Sequence, residues 1–372
     1  QPFKQRRPDW CQQYPQLCTD LLQLSDAQLQ HFNADEAAMQ GWLVEYLPAL
    51  QSLFDLMALA PLPRSNSPLP SSHFFTAIPG RKQAQIEAFS ATLGAVQYPV
   101  LEWCGGKGHL GRLLGAQWRT EVCTLEWDAA LCDAGRQLAA RAGVAQRFEV
   151  ADVLAPGLTA EVAGKHAIAL HACGVLHRTL GELAGRGRAA ALDIVPCCYA
   201  VGVDDAYRPF CSFVALQLQR DDLRLAVTET VTAGAREVRL RDTEMAWKLG
   251  FNALREAIVA DGIYRPLKPI RKAWLQQDFA GFCQSLALRE GLSLPDSLDW
   301  AHYEAVGWQR QREVMRLLLV RHAFRRAVEL WLVLDLVCWL ETQGYGVALG
   351  TFCERSLTPR NLMISARRPC NA

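Results

Sequence analysis

The 372 residues suffice for one large domain or two smaller ones, and at 50% hydrophobic and 21% charged they exclude a chain that is disordered throughout. Lys+Arg is 39 against 38 for Asp+Glu, a net charge of +1, so no global pull toward nucleic acid exists and any basic footprint is local. The 13 cysteines are scattered and odd in number, with no C-x-x-C pair; this argues against a secreted disulfide framework and predicts a reducing, cytoplasmic setting.

The opening "QPFKQRRPDW" lacks an apolar core and a cleavage site, so no signal peptide is expected there. Residues up to about 60 read as helical. Trp42, Leu43, Tyr46, Leu47, Leu50, Leu53 and Phe54 recur there at the helical period. The Pro/Ser stretch 61–72 marks a boundary, and "RKQAQIEAFSATLGA" predicts a further helix. Strands and helices then alternate. "PVLEW", "EVCTLEWD", "RFEVADV", "HAIALHACG" and "RAAALDIVPCCYA" read as strands, with "HLGRLLGAQ", "AALCDAGRQLAARAG" and "GVLHRTLGELAGR" as helices among them. That rhythm predicts right-handed crossovers and a parallel sheet covered on both faces.

The rhythm stops after about residue 202. One long helix is expected over 308–342; its apolar stretch "LWLVLDLVCWL" is too short to span a bilayer and contains Asp335. "GYGVALGTFC" and "RNLMISARR" read as the last two strands, an edge pair of the same sheet. The expected organisation is an N-terminal helical region (1–72), a Rossmann-like core (73–201), a mainly helical insertion suited to substrate recognition (202–307), and a closing segment (308–372) that completes the sheet. The fold class is therefore α/β, with a mostly parallel seven-stranded sheet and the insertion between strands five and six.

The chemistry begins at "LEWCGGKGHLG", residues 101–111. Glu102, Gly106 and Gly108 fall at the spacing of an acidic-x-G-x-G-x-G loop, with Cys104 in the first glycine slot. Small residues there admit a ligand close to the backbone at the end of the first strand. A tight strand-to-helix turn is the plain alternative. Cys104 is tolerated in that slot provided its φ is negative. Glu126 ends the second strand, where an acid can accept from two ribose hydroxyls; a surface acid fits the residue equally well. Asp152 follows the third strand and could accept from an adenine amino group, or simply cap a helix. Acids and a glycine loop at three successive strand tips point to S-adenosylmethionine, with Leu110, Trp127 and Val153 beside them.

The fourth strand ends in His171, Cys173 and Gly174, the fifth in Pro196, Cys197, Cys198 and Tyr199. These tips would face the methyl group and its acceptor. His171 is a candidate base or a satisfied interior histidine. Tyr199 could stack on a planar acceptor, and the Pro196 carbonyl could accept from an amine. Cys197 and Cys198 read as small core residues or as acceptor-side groups, and no metal site is expected without further ligands at metal spacing. "YRPLKPIRKAW" brings Arg265, Lys268, Arg271, Lys272 and Trp274; Arg271 and Lys272 are candidate substrate contacts. Arg310, Arg312, Arg316, Arg321, Arg325 and Arg326 follow, with the 312/316 and 321/325 pairs each on one helix face. Arginines with aromatics can grip phosphates and stack bases. A solvated helix face, with Arg325 and Arg326 paired to Glu329, is the alternative.

"LEWCGGKGHLGRLL", "LHACGVLHRTL" and "DIVPCCYA", in that order, resemble the methyltransferase family that includes the eukaryotic tRNA acceptor-stem 2′-O-methyltransferases and the methyltransferase-like twenty-five proteins. The resemblance covers residues 78–200 well and "LETQGYGVALGTFC" and "TPRNLMISA" more loosely. It implies a class I Rossmann-like fold and S-adenosylmethionine. It also implies Glu102, Gly106, Gly108 and His109 in the cofactor loop, Cys173 and Gly174 in the pocket, and Cys197, Cys198 and Tyr199 on the acceptor side. The chain departs from the pattern at Cys104 and lacks the Cys/His zinc modules that precede the domain in the tRNA enzymes. The expectation is an S-adenosylmethionine-dependent methyltransferase acting on an oxygen or nitrogen of RNA, tRNA or rRNA, without a membrane partner. A protein methyltransferase acting on a ribosomal or translation-factor side chain, a non-catalytic binding module and a small-molecule acceptor stay open, and the oligomeric state is not readable.

Overall fold

The computed structural model describes residues 3–76, 78–211, 216–228 and 234–369. They fall into two compact units, Gln1–Phe54 with Thr232–Phe324, and Asp55–Val231 with Arg325–Ala372.

The first unit is helical among its described residues. Ser25 and Gln28 form a reciprocal capping box that starts the helix Asp26–Ala34. The helices Ala235–Val259 and Trp300–His322 pack closely because two glycines meet: a Cβ on Gly250 would lie 2.7 Å from the Tyr303 carbonyl oxygen, and one on Gly307 would overlap Ala246. Trp247, Phe251, Leu254, Phe279, Phe282 and Leu286 fill the core of this unit. The single helix expected over 308–342 is two helices, Trp300–His322 and Arg325–Thr342. Asp299 starts the first one early by accepting the His302 N–H at 2.9 Å. It ends in a tighter turn, Phe324 N–H to Arg321 carbonyl, 3.1 Å, that takes the chain off the helical repeat.

The second unit is built on a seven-stranded sheet. Its strands are β1 (Val100–Trp103), β2 (Val122–Glu126), β3 (Gln146–Val150), β4 (His166–Cys173), β5 (Ala191–Cys197), β6 (Gly346–Thr351) and β7 (Leu362–Arg367). The order is β3-β2-β1-β4-β5-β7-β6, with β1 to β5 parallel and β7 antiparallel to both neighbours. This is the sheet of the class I methyltransferases. Every residue of β1, β2 and β5 is buried, which is why these strands read as largely apolar runs, interrupted by the buried Glu102, Thr124, Glu126 and Asp193. β3 lies at an edge and keeps Phe148 alone fully inside. The final pair is joined as expected, with β7 slotted between β5 and β6. No described helix is long and apolar enough to cross a membrane.

Candidate functional site at the carboxyl ends of the strands

β1 runs into Cys104-Gly105-Gly106-Lys107-Gly108 and then the helix His109–Trp118. Cys104, Gly106 and Gly108 all adopt left-handed backbone, with φ of 52°, 60° and 63°. The negative φ that would make Cys104 an easy substitute for glycine is not what the loop requires; the residue sits in the glycine conformation and bears its cost. Two other glycines seat the loop. A Cβ on Gly105 would lie 2.7 Å from the Glu102 carboxyl carbon, and one on Gly111 would lie 2.5 Å from Glu102 Oε2.

Glu102 therefore holds the loop from beneath instead of reaching into a cofactor space. Its side chain is 4% exposed, and Thr124 Oγ1 donates to its Oε2 at 2.8 Å. Burial pushes its pKa up to about 7, against the pull of the Thr124 and Gly111 hydrogen bonds and the charges of Lys82 and Arg112. Leu110 likewise belongs to the core, 3% exposed. His109 is half-buried, with Nδ1 3.1 Å from the Arg112 guanidinium. Burial and that guanidinium bring its pKa down to about 4.

Glu126 does reach the loop. Its Oε2 accepts the Gly106 N–H at 2.9 Å and its Oε1 the Asp128 N–H at 3.1 Å. Trp127 beside it is 79% exposed. Asp152 is exposed after β3 and turns its own loop by accepting the Leu154 N–H at 3.0 Å; Val153 is buried. The Cys104 thiol registers all these groups. Its pKa is pushed up to about 12, by burial first and then by the charges of Glu126, Cys173 and Asp152.

β4 is interrupted by a bulge between Leu170 and Ala172 that leaves His171 at φ 64°. Its Nε2 meets Gln85 Oε1 at 3.2 Å. Burial lowers its pKa to about 4, and the cations Lys82, Arg360 and Arg81 add to this. At neutral pH the ring is uncharged. Gly174 has φ 51°, and a Cβ there would overlap the Val201 carbonyl; its N–H donates to the Cys197 carbonyl at 2.9 Å.

Cys173 and Cys197 are register partners on β4 and β5, with sulfurs 3.4 Å apart. Cys198 follows at φ 48°, and the three sulfurs all lie within 4.8 Å of one another. Hydrogen bonds from Cys173 and Cys197, then the charge of Arg360, hold the Cys198 thiol well below its ordinary pKa, while Cys173 and Cys197 are raised. The linear spacing of the cysteines does not reveal this grouping.

Pro196 is buried in the ladder opposite Ala172. Tyr199 does not face an acceptor: it is 2% exposed, its hydroxyl donates to Glu329 Oε1 at 3.4 Å and its ring meets His177 edge-on. The basic segments mostly serve the protein itself. Arg310 pairs with Glu313 at 2.7 Å, Arg316 with Asp26 and the Leu24 carbonyl, each at 2.7 Å, and Arg326 with Glu329 at 2.7 Å. Arg325 donates to Thr228 Oγ1. Arg271 and Lys272 are exposed residues of the helical unit.

Three site residues carry no sequence signal: Lys82 and Gln85 on the helix Gly80–Leu93, and Arg360 between β6 and β7. Lys82 is half-buried, its pKa lowered by that burial, and its charge acts on Glu102 and Cys197. A separate cleft of about 490 Å³, lined by Pro99, Glu121, Val144, Arg147 and Lys165 among others, opens at the amino ends of the strands. Ligands of open parallel sheets bind at the opposite edge, so the strand-tip cluster is the site of interest.

A family model described as a methyltransferase domain matches residues 81–201. A comparison with curated proteins finds no significant match. Among solved structures, a tRNA (uracil-54, C5)-methyltransferase from Pyrococcus abyssi in complex with S-adenosyl-L-homocysteine is 19% identical, with a TM-score of 0.26 over 32% of this chain and 28% of its own. A geranyl diphosphate C-methyltransferase from Streptomyces coelicolor is 18% identical, with a TM-score of 0.28 over 37% of this chain and 56% of its own. A cyclopropane synthase from Mycobacterium tuberculosis is 11% identical, with a TM-score of 0.27 over 77% and 82%. The chain spans less than two thirds of the first two structures' own length. The sheet order, and not these likenesses, carries the fold.

Proposed function

We propose, on the premise that residues 81–201 are a methyltransferase domain, that the protein is an S-adenosylmethionine-dependent methyltransferase and that its acceptor is RNA. The observation that carries the first part is the placement of the glycine loop, Glu126 and Asp152 at the carboxyl ends of β1, β2 and β3, with Glu126 Oε2 accepting the Gly106 N–H at 2.9 Å. The residues present fit the cofactor. The Lys82 ammonium is half-buried and has no hydrogen-bond partner among the described residues, so it suits a carboxylate. In this reading Glu126 accepts from ribose hydroxyls, Asp152 from an amino group, and the exposed Trp127 indole stacks on a purine. Gly106 and Gly108 leave the backbone open to close approach.

When bound, S-adenosylmethionine supplies an electrophilic methyl group on a sulfonium. The protein's part is alignment of the acceptor and exclusion of water. With Gln85 Oε1 accepting from His171 Nε2, the lone pair of His171 lies on Nδ1, the atom that takes the acceptor's proton. The RNA reading is supported by exposed cations of the helical unit, Arg236, Arg239, Arg271 and Lys272, which have no ion pair among the described residues.

Calorimetric titration with S-adenosylmethionine tests the cofactor; no binding at millimolar concentration overturns the enzyme reading. Mass spectrometry of tRNA, rRNA and ribosomal proteins, from cells with and without the gene, tests the acceptor. One methylated nucleoside lost supports RNA, and a lost protein methyl mark overturns it.

A further inference from the structure

We propose that Cys173, Cys197 and Cys198 form a three-thiolate site for a soft, thiophilic metal ion, zinc or copper(I), at the carboxyl ends of β4 and β5. The inference stands on the thiol geometry and not on the cofactor reading.

The fold assembles the three ligands from two strands. Parallel register sets Cys173 directly beside Cys197, with their sulfurs 3.4 Å apart. In extended chain the next residue would point to the opposite face of the sheet. Cys198 instead takes left-handed backbone, φ 48°, and its sulfur returns to the same side. All three sulfurs then lie within 4.8 Å of one another. An ion with sulfurs at about 2.3 Å would hold them roughly 3.8–4.0 Å apart, so only small side-chain adjustments separate this cluster from a coordination sphere.

Charge also favours the ion. Thiols bind metals as thiolates, and each thiol not yet ionised releases a proton on binding. A divalent ion with three thiolates carries one net negative charge. The Arg360 guanidinium acts electrostatically on Cys198 and offsets part of this charge. Thiolate ligands select zinc and copper(I) over magnesium, calcium or manganese. Three protein ligands leave a zinc ion one position for an outside group, the arrangement of catalytic rather than structural zinc.

The full chain, kept reduced with a non-thiol reductant and stripped with a chelator, is titrated with Zn(II) and separately with Cu(I). Co(II) serves as an optical probe. The expected result is one ion per chain in at least one arm, with a sulfur-to-cobalt charge-transfer band. Cys173→Ser and Cys198→Ser are expected to weaken binding by about tenfold or more. Cys198→Gly guards against misfolding, because glycine suits the positive φ; it is expected to melt no lower than wild type and to lose the ion. Cys338→Ser, away from the cluster, is expected to keep it. Substoichiometric binding in both arms, or full retention by Cys198→Gly, overturns the proposal. Protein that binds S-adenosylmethionine but no metal overturns this inference alone and leaves the cofactor reading intact.

Discussion

The Glu126 carboxylate accepts the backbone N–H of Gly106 at 2.9 Å, so the tip of β2 and the glycine loop after β1 are tied together before any ligand arrives. A second oxygen of the same carboxylate holds Asp128 N–H. The acid is thereby fixed in direction, which is what recognition of a sugar edge requires. Glu126→Gln keeps an acceptor oxygen and loses the charge. Its expected effect is a loss of about 1.5–3 kcal/mol in S-adenosylmethionine binding, and a lower melting temperature because the amide nitrogen must face one of the two backbone N–H groups. Calorimetry of the variant checks this; an unchanged affinity would remove Glu126 from the cofactor.

Cys104 occupies left-handed backbone that favours glycine. Cys104→Gly is expected to stabilise the fold by about 1 kcal/mol in urea unfolding, because it relieves that strain. Cofactor affinity should stay the same or tighten. A marked loss of affinity would mean that the thiol itself touches the ligand.

Glu102 links the loop to pH. Its folded pKa, about 7, stands above the ordinary carboxylate value of 4.5 because the group is buried. The folded state therefore holds a proton that the unfolded state has lost. The stability this contributes is fully present below about 4.5 and disappears as pH rises through about 7, a change on the order of 3 kcal/mol. Glu102→Gln, which keeps an acceptor for Thr124, should flatten the melting-temperature profile across that window. A profile with the wild-type slope would show that another group governs it.

His171 is held neutral by burial and by Lys82 and Arg360, with a pKa near 4. As the base it would show no break near the ordinary histidine value of 6.5 in a plot of kcat/KM against pH; the break belongs near about 4. A base so weak contributes at the low end of its class, so His171→Ala should cost about a hundredfold in kcat. Undiminished turnover in that variant would make the residue structural.

The sheet could be read from the sequence because burial on both faces writes β1, β2 and β5 as largely apolar runs, and because Glu126 ends β2 and Asp152 follows β3. What escaped depends on backbone handedness and on distant partners. Cys198 in left-handed conformation changes which way its neighbour points, and Tyr199 turns inward to Glu329, which lies 130 positions further on. Arg316 looks like a phosphate ligand until Asp26, 290 positions away, pairs with it. Lys82 reads as one more charge on an amphipathic helix; its electrostatic coupling to Glu102 exists only in three dimensions.

The placement of β7 between β5 and β6 sets an order of events during synthesis. β5 is complete at Cys197, yet its second edge stays bare until Leu362–Arg367 has left the ribosome. At that time Arg367 also reaches Asp193, whose buried Oδ2 meets both His166 Nε2 and this guanidinium, 2.8 Å away. Translation thus leaves a nascent sheet with an open hydrogen-bonding edge and a carboxylate short of its cation for a little under half of the chain's length. Such an edge invites wrong pairings, and β7 closes it.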